Sequence, residues 1–338
     1  MNKVNYINEG KQILRNNNVV EADSSYGEKI IYASVPGLGG VGGGISFNRN
    51  KNSLLKYSIK HRMLSDHFNP DTNTTLFGQN IEIPIIAAPM SGIKTSLRDI
   101  IQEKDFHQYI LEGCVDAGTI GMCGDSYDTT AEYHVPDLLK GMRGVAVCKP
   151  RIFSEIEKRI KLLNDTNVYA IGIDVDGAAG MLLDSGKVTK KNPLELRKIR
   201  SLFNGPMFLK GIMSVEDAII AHQVGFDGIV VSNHGGRSID YSLGTADILP
   251  AISGQLKGKI TIMVDGGVSS GYDAFIYLAL GADAVLSGRS ILYSVVSGGR
   301  VGVTQTLNKF ASELKRAMLF TGCQRISDIT SDVIEKYE

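Results

Sequence analysis

From Pro84 onward the chain alternates short apolar runs with longer amphipathic stretches. The runs are Ile85 to Ala88, Thr119 to Cys123, Val145 to Cys148, Ala170 to Val175, Met207 to Leu209, Ile229 to Val231, Ile260 to Val264 and Ala284 to Leu286, eight in all. Short and bounded by glycine or polar residues, they carry the signature of strands buried on both faces. The stretches between them have helical spacing, as in Val215 to Val224 after an N-capping Ser214 and Tyr272 to Leu280 closed by Gly281. Eight such units overshoot an ordinary doubly wound sheet and predict an α/β fold, a (β/α)₈ barrel over 81–338. Residues 1–80 form an N-terminal extension: a polar helix and loop, a glycine-rich loop and a segment leading into the barrel.

In such a barrel the site lies where the strands end. Those ends read Pro89-Met90-Ser91-Gly92, Gly124-Asp125, Lys149-Pro150-Arg151, Asp174-Val175-Asp176, Lys210-Gly211, Ser232-Asn233-His234, Asp265-Gly266-Gly267 and Ser287-Gly288-Arg289. A strand that delivers a histidine and an arginine within Ser232 to Arg237, with two glycines between them, is built to bring a backbone close to a ligand. A glycine-rich turn after the seventh strand and a Gly-Arg after the eighth predict a phosphate-bearing cofactor or substrate. Gly37-Leu-Gly-Gly-Val-Gly42 formally satisfies the dinucleotide fingerprint. The next six residues, Gly43 to Asn48, do not read as a helix start. No acidic residue comes after a second strand either, so a turning loop near the barrel mouth is expected there.

Lysine plus arginine and aspartate plus glutamate each total 36 in 338 residues, which argues against nucleic acid or an anionic membrane as partner and leaves a small molecule. No apolar run approaches the ~20 residues that span a bilayer, and the start has no signal-peptide core, so a cytoplasmic protein is expected. Cys114, Cys123, Cys148 and Cys323 are scattered and read as reduced, buried thiols, without a metal site or a redox role.

Four segments together, Lys210-Gly-Ile-Met-Ser-Val-Glu-Asp-Ala, Val231-Ser-Asn-His-Gly-Gly-Arg237, Asp265-Gly-Gly-Val and Ala279 to Arg289, resemble the FMN-dependent α-hydroxy-acid dehydrogenase and oxidase family, which includes lactate and glycolate oxidases. The resemblance extends from about residue 35 to 330, through Pro70 to Thr75, Ala88-Pro89-Met90 and Met318 to Cys323. It implies FMN as cofactor and oxidation of an L-2-hydroxy acid to the 2-oxo acid. His234 matches the base, Asp176 the carboxylate that orients it, Arg237 the residue that grips the substrate carboxylate, and Lys210 the lysine that stabilises the reduced ring. Imidazole has the pKa such a base needs, and a guanidinium can hold a carboxylate by two bonds. Ala88, Pro89, Met90, Ser91, Lys210 and Ser232 are expected along the flavin, and Asp265, Gly266, Gly267, Gly288 and Arg289 at its ribityl chain and phosphate. Oxygen, a quinone and a protein carrier all stay open as acceptor, and a homotetramer is expected.

The departures are as specific. By alignment Pro36 stands where a substrate-binding tyrosine is usual, Ala146 where a second tyrosine is, Gly144 for a flavin-contacting glutamine and Ser269 for an arginine. No arginine appears in Gly177 to Leu183. Tyr32, Tyr127 and Tyr133 are candidates to fill the gap. Asp174 shares a face with Asp176 by strand alternation and could share its role. These gaps motivate two alternatives, the same flavin chemistry on a modified peptide or biosynthetic intermediate, and a non-catalytic flavin-binding protein. His61, His67, His107, His134 and His222 read as surface or satisfied core histidines.

Overall fold

The computed structural model describes residues 4–17, 30–32, 38–93, 97, 100–126, 132–177 and 187–337. Eight parallel strands among them close into a barrel: β1 Ile85–Met90, β2 Gly121–Gly124, β3 Gly144–Cys148, β4 Val168–Asp174, β5 Met207–Ile212, β6 Gly228–Val231, β7 Thr261–Val264 and β8 Ala284–Ser287. Each pairs with the next, and β8 returns to β1 through Val285 opposite Ile85. The connecting helices are α1 Glu103–Asp116, α2 Val135–Gly141, α3 Phe153–Asn164, α4 Pro193–Arg200, α5 Val215–Val224, α6 Thr245–Leu256 and α7 Gly271–Ala279, with α8 Arg289–Thr321, broken by a kink at Gly299, following β8. Ser214 and Ser270 cap α5 and α7 by accepting the backbone N–H groups of Asp217 and Asp273.

The apolar runs are continuous because both faces of each strand are covered. Ile86, Met122, Val145, Val147, Phe208, Val230, Met263 and Leu286 fill the barrel interior. Ile85, Ala146, Cys148, Ile171, Leu209, Ile229, Ile262 and Val285 face the helices. The amino-terminal end of the barrel is plugged by the hairpin Thr74–Leu76 and Gln79–Ile81. Its turn residue Phe77 stacks on Phe208 at 6.0 Å, and the Tyr169 hydroxyl donates to the Leu76 carbonyl. The opposite end stays open to the site.

The glycine-rich loop is no dinucleotide fold, since Gly40–Val41 pairs antiparallel with Ile30–Tyr32 rather than entering a parallel βαβ unit. Contrary to the sequence reading, a helix does begin there, Ile45–Leu54. Its own sequence supplies no capping side chain, and the cap comes from a distant segment. Asp240 accepts the N–H groups of Gly43 at 2.7 Å and Ser46 at 2.9 Å, which satisfies donors that a helix start leaves open. Four residues along this helix, Asn50 and Asn233 exchange side-chain amide bonds of 2.8 and 2.9 Å, both residues being buried. The helix is thereby fastened across the loop that succeeds β6. A second extension helix, Tyr6–Asn16, packs on α8 where Gly298 and Gly302 leave room for the Tyr6 ring.

Replacing Asn50 with alanine leaves the Asn233 amide and the Thr245 N–H without this partner. The expected cost is about 1–3 kcal/mol for the buried groups left unpaired, read as a lower midpoint in urea unfolding with an unchanged slope. An unchanged midpoint would show that the amide pair does not hold the extension down.

Candidate active site

β6 ends at Val231, and the chain then makes three successive residues with left-handed backbone, His234 (φ 58°), Gly235 (φ 63°) and Gly236 (φ 82°). Glycine accepts this readily, whereas a histidine held there costs about 1–2 kcal/mol. The strain is held by a local network. The His234 N–H donates to Ser232 Oγ at 3.1 Å, and the Gly236 N–H reaches the Asn233 side-chain oxygen at 3.0 Å.

This turn carries the imidazole onto the ends of β4 and β5. His234 Nδ1 lies 3.2 Å from Asp176 Oδ1, 3.6 Å from Asp174 Oδ1 and 3.4 Å from Lys210 Nζ. Asp176 is itself oriented by Ser238, whose hydroxyl donates to its other oxygen at 2.6 Å. Gly211 makes the close approach possible, because a Cβ there would fall 2.6 Å from the Asp176 side chain. Lys210 Nζ lies 3.2 Å from Asp174 Oδ1 and 3.8 Å from Asp265 Oδ2. Asp174 Oδ2 receives a second ammonium, that of Lys149, at 3.0 Å.

The electrostatics reflect this packing. Burial by itself would push the Lys210 ammonium toward neutrality, yet Asp174, Asp176 and Asp265 outweigh it and raise its pKa above the ordinary lysine value. Burial likewise opposes ionisation of Asp174, but Lys210 and Lys149 hold that carboxyl well below the usual range. For His234, burial and the Lys210 charge lower the pKa, and the two aspartates only partly restore it. The imidazole is therefore neutral near pH 7, with Asp176 accepting the Nδ1 proton and Nε2 left as the basic nitrogen. Asp174, Asp176 and His234 are also the kind of set that holds a metal ion, their ligand atoms falling within 4.8 Å of one another. Here the Lys210 ammonium lies beside two of them, 3.2 Å from Asp174 Oδ1 and 3.4 Å from His234 Nδ1.

These groups border a cavity of about 1180 Å³ at the carboxyl ends of the strands. Lys210, His234, Arg237 and Asp265 line it, as do Ala88 to Ser91 from β1. Gly266, Gly267, Gly288 and Arg289 line it on the side of β7 and β8. Of the predicted residues, Asp176 and Ser232 stand behind this wall, Ser232 being fully buried beneath the His234 backbone.

The chemistry of the wall suits a flavin mononucleotide. Asp265 Oδ1 is buried and has no hydrogen-bond partner among the described residues, as expected of an acceptor waiting for a ribityl hydroxyl. Gly266 and Gly267 have φ of 108° and 73°, a turn that exposes backbone to a ligand, and a Cβ on Gly288 would meet nothing closer than 3.8 Å. Arg289 supplies positive charge, although its Nε and one terminal nitrogen are already spent on the carbonyls of Leu38, Gly39 and Gly235. Burial and neighbouring Arg237 lower its pKa to about 10, which still leaves it cationic.

Gly144 and Ala146 of β3 face the helices, and a Cβ on Gly144 would lie 2.4 Å from Leu111 Cδ2, so neither position can present a side chain to the cavity. The cavity-facing residues of that edge are Val147 and Lys149. Strand alternation turns this edge, and not the aligned pair, toward the cavity, and Lys149 stands at its end. Tyr133 does not replace it, because its hydroxyl points to Cys148 Sγ at 4.0 Å under the Arg159 guanidinium. Pro36, Tyr127, the Tyr32 side chain and residues 178–183 lie outside the described residues. The arginine missing at Ser269 has a neighbour instead, since Lys51 Nζ of the extension helix comes 3.4 Å from Ser269 Oγ and lines the cavity.

His107 is a satisfied core histidine, one of the two expectations drawn from the sequence. It is fully buried, bonds the Met90 carbonyl at 2.7 Å and His134 at 2.9 Å, and so fixes the β1 edge of the cavity from behind. Burial holds its pKa down at about 4, the mark of a neutral structural imidazole. Burial pushes the Cys148 thiol up to about 12, which keeps it inert at neutral pH.

The strand ends thus bring a lysine, a histidine and paired carboxylates to one glycine-lined cavity. A profile of FMN-dependent dehydrogenases matches residues 37–179 and 179–336. An L-lactate dehydrogenase of Pectobacterium atrosepticum is 30% identical over 87% of this chain and 90% of its own length. An L-lactate oxidase of Lactobacillus jensenii is 30% identical over 84% of this chain and 76% of its own length. Among solved structures, a mandelate oxidase variant with a monooxide FMN adduct superposes with a TM-score of 0.74 at 27% identity, covering 86% of this chain and 91% of that one. The chain belongs to the FMN-dependent dehydrogenase family. Its cofactor is FMN and its chemistry is oxidoreduction at CH–OH groups.

Asp265→Ala removes the unpartnered acceptor from the cradle. FMN affinity, measured by quenching of flavin fluorescence, should fall about tenfold or more, one charge-assisted hydrogen bond being worth roughly 1.5–3 kcal/mol. Unchanged affinity would remove Asp265 from the cofactor site.

Proposed function

We propose that this enzyme oxidises an L-2-hydroxy acid to the 2-oxo acid, with His234 as general base. The observation that carries this reading is the convergence on one cavity wall of His234 and Arg237, with Asp176 behind the imidazole at 3.2 Å. Arg237 would take the substrate carboxylate through its fork of N–H donors. That anchors the carbon bearing the hydroxyl beside His234. His234 Nε2 then removes a proton, and Asp176 stabilises the imidazolium that forms. FMN, when bound, accepts the two electrons released from that carbon. Lys210 holds positive charge at the cavity wall, where negative charge builds up on reduction. Strand ends β1, β7 and β8 would hold the cofactor through Ala88 to Ser91, Asp265, Gly266, Gly267, Gly288 and Arg289, and Ser232 would act through the His234 backbone.

We further propose a homotetramer in the cytoplasm. Ile239, Tyr241 and Leu243, large apolar residues exposed on the loop after β6, support an assembly surface. Sedimentation should then report four times the 36.6 kDa subunit mass.

L-Lactate, glycolate and longer 2-hydroxy acids, added to the yellow protein without oxygen, should bleach the flavin band, and a holoenzyme that none of them bleaches would overturn the substrate class. The His234 pKa lies below its ordinary 6.5, so kcat/KM should fall only on the acid side, with an inflection below 6.5. Asp176→Asn removes a charge that raises this pKa, so the inflection moves lower still. His234→Ala should lower kcat by about 10²–10⁴-fold. An inflection that rises in Asp176→Asn would contradict the assigned pairing.

A further inference from the structure

Lys149 has no part in the flavin reading of the cavity, although its own role rests on that reading. Its side chain is buried, with 6% of the residue exposed, and its place is built from three directions. Its backbone N–H donates to Asp125 Oδ2 at 3.2 Å, and Asp125 is held in turn by Arg151 Nε at 2.9 Å. Gly177 lies over its aliphatic stem, where a Cβ would fall 3.2 Å from Lys149 Cδ. Its Nζ lies 3.0 Å from Asp174 Oδ2, and the other oxygen of that carboxylate lies 3.2 Å from Lys210 Nζ. Asp174 thus carries one ammonium on each oxygen, at the border of the cavity that all three residues line.

The arrangement has an electrostatic consequence. A lone buried carboxylate this close to Lys210 would cancel much of the charge that the lysine presents to the cavity, because opposite charges a few ångströms apart act at a distance as a dipole. A second ammonium on the same carboxylate restores the balance. We propose that Lys149 is a positioning residue that acts through Asp174: by engaging one of its oxygens, it keeps the charge of Lys210 effective at the flavin ring and thereby sets the reduction potential of bound FMN. Asp174 and Lys149 are then an opposed pair, one lowering the potential and the other raising it.

The test is a redox titration of the FMN-loaded protein and three variants, against dyes of known potential and without substrate. Asp174→Asn should raise the midpoint and Lys149→Met should lower it. Each shift should be about tenfold in the oxidised-to-reduced equilibrium, or about 30 mV for a two-electron couple. The double variant should stay within about threefold of Asp174→Asn, above the wild type, because Lys149 then has no carboxylate to act through. A merely structural role would loosen the cavity in every variant and move all the midpoints in one direction, toward free FMN. Shifts of the same sign, or no shift in either single variant, overturn the proposal. Should Asp174→Asn fail to fold, Lys149→Met and Lys149→Gln decide it, since both must move down. A wild-type protein that takes up no FMN is recognised by its lack of colour before any titration, and that result overturns the cofactor reading itself.

Discussion

One buried ammonium, that of Lys210, sits within 3.8 Å of two carboxylates and an imidazole, and the mouth of the barrel is arranged to keep it there and charged. In water an ion pair at such distances is worth little, whereas inside a protein the same geometry is decisive and an unpaired charge is costly. The participants come from separate strand ends: Lys149 after β3, Asp174 and Asp176 from β4, Lys210 from β5, His234 after β6 and Asp265 after β7. A closed barrel brings such distant segments within hydrogen-bond reach while its packed interior keeps water away from beneath them. Charge balance and fold are therefore a single requirement. Moving any one of these strands by a residue would turn its charged group into the apolar layer between barrel and helices.

Positive charge reaches the cavity from several segments of the chain. The position after Asp265-Gly266-Gly267 that lacks an arginine is approached by Lys51, which the extension helix brings in from far away in sequence and pairs with Asp273 at 2.6 Å. The edge of β3 presents a lysine. Charge is thus supplied to the cavity partly by segments that a position-by-position comparison would not consult.

The barrel was legible because its strands are apolar on both faces, so eight runs stand out from the amphipathic helices between them. The cluster of His234, Asp176, Lys210 and Asp265 was legible because strand ends in this architecture converge whatever their separation in sequence. Three features were not. The helix Ile45–Leu54 has its cap on Asp240, so no local signal marks its start. The facing of Gly144 and Ala146 depends on the pleat of β3, which the identity of two small residues does not reveal. His107 reads as a satisfied histidine, but its partner, the Met90 carbonyl, comes only with the fold. The role of Lys149 lay half in view, as a polar residue at a strand end whose partner sits on the next strand.

The Asp240 cap and the Asn50–Asn233 amide pair also impose an order on events in the cell. The helix they secure leaves the ribosome early, whereas Asn233 and Asp240 emerge after it by more than half the length of the chain. Until they arrive, its first turn has open N–H donors and Asn50 has no amide to pair with. A growing chain therefore presents this helix without its cap and without its amide partner until the sixth strand and the loop after it have been synthesised.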